Sequence, residues 1–141
     1  MSKPRAIYLL RPDALPKIYG PDQQSALAEL VEFVAPPQNF QTVQENPAVL
    51  ADVELIFSGW GMPEMDEAFL ADSPNLKALF YGAGSVKKIV TDASWARGVR
   101  VTSAYGANAV TVAHYTLAQV IFSLKRGWQF SRAIRESGGW F

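Results

Sequence analysis

The residues of this chain whose types and spacing could do chemistry begin with Gly82-Ala83-Gly84-Ser85, placed directly after the apolar run Leu76 to Tyr81. Successive backbone amides that are freed from strand and helix bonding form a concave trap for an anion, replacing the hydration of a carboxylate with fixed dipoles. The expected donors are the amides of Ala83 and Gly84. A tight turn that needs glycine only for positive φ is the alternative, and spacing alone leaves both open. A dinucleotide fingerprint does not fit here. Lys87 stands where its third glycine belongs, and no acid ends the next apolar run, Val99 to Thr102.

Gly106-Ala107-Asn108 opens a second group. Asn108 is expected either as an N-cap, its side chain taking an amide two or three residues on, or as a polar contact for a ligand. Ser58-Gly59-Trp60-Gly61-Met62-Pro63 is a third, in which Trp60 offers an apolar wall beside an anion loop, with Met62 next to it and Tyr81 and Tyr105 on the same rim. The bland account of Trp60 is an anchor for a surface loop. Lys87 and Lys88 follow the glycines and add positive potential or merely solvate a helix face. His114, the one histidine, lies inside an apolar stretch, where a packed side chain with one hydrogen-bond partner is expected. With one histidine and no cysteine, neither a Ser-His-Asp set read from the sequence nor a thiolate metal site is expected, so no catalytic residue and no metal ligand is assigned.

These groups need a frame. Apolar runs at Ala6 to Leu10, Leu30 to Ala35, Val53 to Phe57, Leu76 to Tyr81 and Val99 to Thr102 have the length and branched composition of strands buried on both faces. Helical signals lie between them at Asp22 to Glu29, Glu45 to Leu50, Pro63 to Ala71 and Thr91 to Arg97, the last with Thr91 or Asp92 as N-cap and Gly98 past its end. The alternation predicts an α/β, doubly wound parallel sheet, flavodoxin-like, of about five strands with helices on both faces. From Asn108 to Arg126 apolar residues go most of the way round a helix, which predicts a long C-terminal helix buried on nearly all sides. Thr111, His114, Thr116, Gln119 and Ser123 interrupt it, short of the roughly 18 continuous apolar residues of a membrane span.

A chain of 141 residues with 49% apolar content holds one core, and zero net charge argues against a nucleic-acid partner or an anionic membrane surface. The start, Met-Ser-Lys-Pro-Arg, leads into an apolar stretch too short for a signal peptide, so a cytoplasmic location is expected.

The stretch from Leu76 to Arg126, with Gly82-Ala83-Gly84, Asn108 and the helix ending Ser-Leu-Lys-Arg, resembles the substrate-domain half of the D-isomer-specific 2-hydroxyacid dehydrogenases. The first 75 residues share only the order of elements. The resemblance implies a substrate-binding domain over residues 1–104, and over 105–141 the interdomain helix with the start of a dinucleotide-binding domain or dimer arm. It implies hydride transfer between NAD or NADP and a small 2-oxo or D-2-hydroxy acid, with Ala83 and Gly84 holding the carboxylate, Asn108 near the reacting end and Trp60 shaping the pocket. It further implies a homodimer, and that the cofactor and the acid/base machinery lie outside these residues, so that the piece alone is inactive. His114 departs from the family, which has glutamate there, as does the Lys87-Lys88 pair. A module of the same descent that binds a small anion, regulates or dimerises without chemistry is the alternative.

Overall fold

The structure is a computed structural model that describes residues 2–139. It divides into two compact units, Met1–Tyr105 and Gly106–Phe141. In the first, β1 (Arg5–Leu9), β2 (Glu32–Phe33), β3 (Leu55–Ser58), β4 (Ala78–Tyr81) and β5 (Arg100–Ser103) form one parallel sheet in the order β2-β1-β3-β4-β5. This is the doubly wound, flavodoxin-like arrangement that the alternation of runs predicts. Parallel neighbours require crossovers, and the crossovers here carry the helices. In register, Leu9 pairs with Ser58, Ser58 with Tyr81 and Tyr81 with Ser103. The chain therefore leaves β1, β3, β4 and β5 along one edge.

Side chains alternate across the strands, so each run feeds two cores. Ile7, Leu9, Ile56, Leu79 and Tyr81 pack on one face against α3 (Phe40–Glu45), a 3-10 turn (Pro47–Leu50), α4 (Glu67–Asp72) and α5 (Asp92–Ala96). Ala6, Tyr8, Leu10 and Phe57 pack on the other face against α1 (Leu15–Ile18) and α2 (Pro21–Leu30). Ile7, Leu9, Ile56 and Leu79 are fully buried, each contributing about 1.5–3 kcal/mol by leaving water.

Several element ends differ from the sequence expectation for local reasons. The run Leu30 to Ala35 yields only a two-residue strand, because Leu30 completes α2 and Pro36-Pro37 cannot extend a ladder. Pairing resumes at Gln38, whose amide donates to Tyr8 O at 2.8 Å. Glu45 to Leu50 is not one helix. Pro47 drives Asn46 out of the helical region (φ −141°, ψ 77°) and starts the 3-10 turn. Thr91 is the N-cap of α5, in a reciprocal capping box with Ser94, and Gly98 stops the chain with φ 77°.

In the second unit α6 (Tyr105–Leu124) and α7 (Gly127–Ser137) flank Arg126, which adopts a left-handed conformation (φ 57°). Phe122 and Trp128 meet edge to face at 5.0 Å, and a Cβ on Gly127 would strike the Phe122 ring. The aromatic tail residues Trp128 and Phe130 thus belong to a helix, while Trp140 and Phe141 lie outside the described residues. The expected burial of the long helix is not found, since every residue of α6 except Gln119 is exposed. No described helix is long and apolar enough to cross a membrane.

Candidate functional site

The loop after β4 is built from below. Gly82 donates its amide to Ser58 O at 2.8 Å, and Ala83 O accepts from the Ala104 amide at 3.0 Å, so the ends of β3, β4 and β5 are laced together. Beyond this lacing, the Ala83 and Gly84 amides donate to no group among the described residues. Two consecutive donors at the carboxyl edge of an open α/β sheet stand where ligands of such folds gather.

The glycines are not there for positive φ. Among the described glycines that conformation belongs to Gly61, Gly98 and Gly138. Gly82 is required instead by close approach, since a Cβ would come within 2.2 Å of Ile18 Cγ2. Gly59, after β3, meets Ile18 Cδ1 in the same way. The next residue, Tyr19, is buried and its single hydroxyl hydrogen is shared between two carbonyl acceptors, Ser58 O at 2.9 Å and Phe80 O at 3.0 Å. Burial pushes the Tyr19 hydroxyl pKa up to about 12. Ile18 and Tyr19 therefore support both loops, a role with no signal in the sequence because both partners are distant along the chain.

Trp60 lies in the turn after β3, 45% exposed, and its carbonyl accepts from the Arg11 amide at 2.8 Å. The bond between Gly82 and Ser58 ties the bases of the Trp60 and Ala83 loops together. Two other rim residues are placed differently from expectation. Tyr81 points into the core beside Ile7 and Leu79, where burial raises its pKa, and Met62 is also a core residue. Tyr105 is 72% exposed.

Asn108 is not an N-cap. The helix starts three residues earlier, at Tyr105, whose amide lies 3.4 Å from Ser103 Oγ, so Asn108 sits exposed in the first turn of α6. His114 is exposed as well, not packed, because its helix is exposed along its length. Lys87 and Lys88 lie on a turn and not on a helix face.

That turn also bears on cofactor binding. In dinucleotide sites the glycine loop opens a helix whose N-terminus receives the pyrophosphate. Here Val86–Val90 form a turn and α5 begins only at Asp92, so the residues after Gly84 do not fit a dinucleotide. A cleft of about 630 Å³ between α3 and α4 is a poor anion site for another reason. Phe40, Val43 and Phe69 line it, and Glu64, Asp66 and Asp72 surround it with negative charge. No cluster of potential metal ligands occurs among the described residues.

Comparison with family models gives no match, and no curated protein matches. Solved structures do match, among them the following two. A D-lactate dehydrogenase from Aquifex aeolicus, complexed with NAD and lactic acid, superposes with a TM-score of 0.65 at 20% identity over 93% of this chain and 37% of its own. The pyruvate reductase of Chlamydomonas reinhardtii superposes with a TM-score of 0.57 at 14% identity over 99% of this chain and 40% of its own. The chain thus spans about two fifths of the length of these neighbours. At these identities the likeness is one of fold, and the chain has the fold of part of a D-lactate dehydrogenase and of part of a pyruvate reductase.

Proposed function

We propose that the chain is the substrate-binding part of an oxidoreductase that passes a hydride between NAD or NADP and a small 2-oxo or D-2-hydroxy acid. The observation that carries this reading is the pair of undonated amides at Ala83 and Gly84, held at the carboxyl edge of the sheet. They fix the substrate carboxylate, whose charge makes each N–H···O bond about twice as strong as a neutral one. Trp60 bounds the side-chain pocket, and Asn108 orients the reacting end of the acid. Residues 1–104 form the binding domain and 105–141 the connection to the part that carries the cofactor. In line with the family that the sequence resembles, the cofactor and the acid/base groups come from polypeptide other than these residues, and the chain alone does not turn over. Its exposed second unit pairs with a second copy to make a homodimer.

Titration calorimetry of the chain with oxalate tests the reading. Binding that disappears in Gly84→Val, with the circular dichroism spectrum unchanged, is the expected result. Absence of heat at millimolar oxalate would remove the preformed carboxylate site and the function built on it.

A further inference from the structure

Lys87 and Lys88 follow Gly84 by three and four residues on the turn Val86–Val90, where the Ile89 and Val90 amides donate to Val86 O at 2.9 and 3.1 Å. The turn is pinned from inside. Ile89 is buried, and its carbonyl accepts from the Met65 amide at 2.8 Å, which leaves the two lysines on the outside and exposed.

Neither lysine is neutralised. Ion pairs among the described residues engage Arg5, Arg11, Lys17 and Lys77, and no carboxylate pairs with Lys87 or Lys88. The acids brought near by the Met65 contact are Glu64 and Asp66. Asp66 caps α4 through the Phe69 amide at 2.8 Å, and Glu64 borders the α3–α4 cleft. Along the loop after β1, Asp13 is already shared by Arg11 and Lys17. Two consecutive, unpaired lysines give this turn a local excess of positive charge, which a bound anion offsets.

We propose that the Ala83 and Gly84 amides and the Lys87 and Lys88 ammonium groups are the two ends of one site, whose ligand is a short 2-oxo or 2-hydroxy acid with a second anionic group, carboxylate or phosphate-like, at its far end. The proposal rests on the reading of the amide loop as a carboxylate site. The two ends differ in kind: the amides are fixed and directional, whereas lysine is a mobile point charge that accepts either type of second anion.

Calorimetry at low salt with 2-oxopentanoate, 2-oxoglutarate and phosphonopyruvate separates the possibilities. The two acids with a distal anion are expected to bind more tightly than 2-oxopentanoate. Each of Lys87→Ala and Lys88→Ala should reduce that advantage by up to about fivefold, as for an exposed ion pair, with the affinity for 2-oxopentanoate unchanged. Lys→Arg variants should retain the advantage, and added salt should diminish it. 2-Oxoglutarate carries its second anion one carbon farther from the oxo group than phosphonopyruvate does, so a preference between them reports the type and the reach of the second group together. Equal binding of all three acids, or an advantage that survives in the double alanine variant, overturns the two-ended site while leaving the carboxylate loop standing. If none of the three binds, the loop reading fails first and this inference falls with it.

Discussion

Ile18 Cγ2 stands 2.2 Å from the point where a Cβ on Gly82 would lie, so the residue that opens the amide loop owes its identity to a side chain from α1. The Ile18 Cδ1 methyl occupies the matching space at Gly59. Gly82→Ala and Gly59→Ala are therefore both expected to destabilise the chain, by about 1–3 kcal/mol, through overpacking. The branch of isoleucine makes the two separable. Ile18→Val removes Cδ1 and keeps Cγ2, so it should rescue Gly59→Ala and not Gly82→Ala, while Ile18→Ala should relieve both clashes. Urea unfolding of the double-mutant cycles measures the coupling, and a rescue of both glycine variants by valine would contradict the assignment.

Two buried tyrosines should respond in opposite directions to loss of the hydroxyl. Tyr8 Oη is buried without a hydrogen-bond partner, while its ring stacks on Phe33 at 4.3 Å. Tyr8→Phe keeps the stacking and removes an unsatisfied group, so it should be neutral or stabilise by up to about 1 kcal/mol. Tyr19→Phe loses the bonds to Ser58 O and Phe80 O and should cost about 1 kcal/mol. Thermal melts of the two variants side by side would show the difference in sign.

Alkaline stability follows from the same hydroxyl. The Tyr19 pKa is raised from 10.0 to about 12, first by desolvation. A neutral group favoured by folding contributes stability that is fully present below pH 10 and lost as pH rises through about 12, because there the unfolded chain releases a proton that the folded chain retains. At about 1.4 kcal/mol per unit, the loss across that window is on the order of 2–3 kcal/mol. Tyr8 and Tyr81, also raised by burial, add in the same sense. Unfolding free energies measured from neutral to strongly alkaline pH should fall less steeply in Tyr19→Phe than in the parent chain.

What could be read from the sequence, and what could not, divides along the range of the interactions. Leu76 to Tyr81 followed by Gly82-Ala83-Gly84 shows a strand and an exposed backbone because both are local, and the cap, placed at Thr91 or Asp92 from the sequence, falls on Thr91, whose partner Ser94 is only three positions on. Tyr19 was invisible as a support, since its partners lie 39 and 61 residues away. Asn108 misled because a polar residue before an apolar run looks like a cap, whereas the chain turns into helix at Tyr105, straight after β5. Hydropathy of α6 reports what its side chains seek and not what the described residues supply, which is why a pattern of burial ended on an exposed helix.

That exposed helix makes a last prediction. Val110, Leu117, Ile121 and Leu124 are all exposed, and Leu117, Ile121 and Leu124 follow the spacing that lines up one face of a helix. Burying each against another surface would gain about 1.5–3 kcal/mol, more than a dilute chain forgoes without association. Light scattering should therefore find the chain self-associated, with a mass that falls on dilution. Leu117→Asp combined with Ile121→Asp should shift it toward monomer, because burying either carboxylate costs more than the contact returns, while far-ultraviolet circular dichroism remains that of the folded chain. A parent chain that stays strictly monomeric at high concentration would show that this face needs no partner.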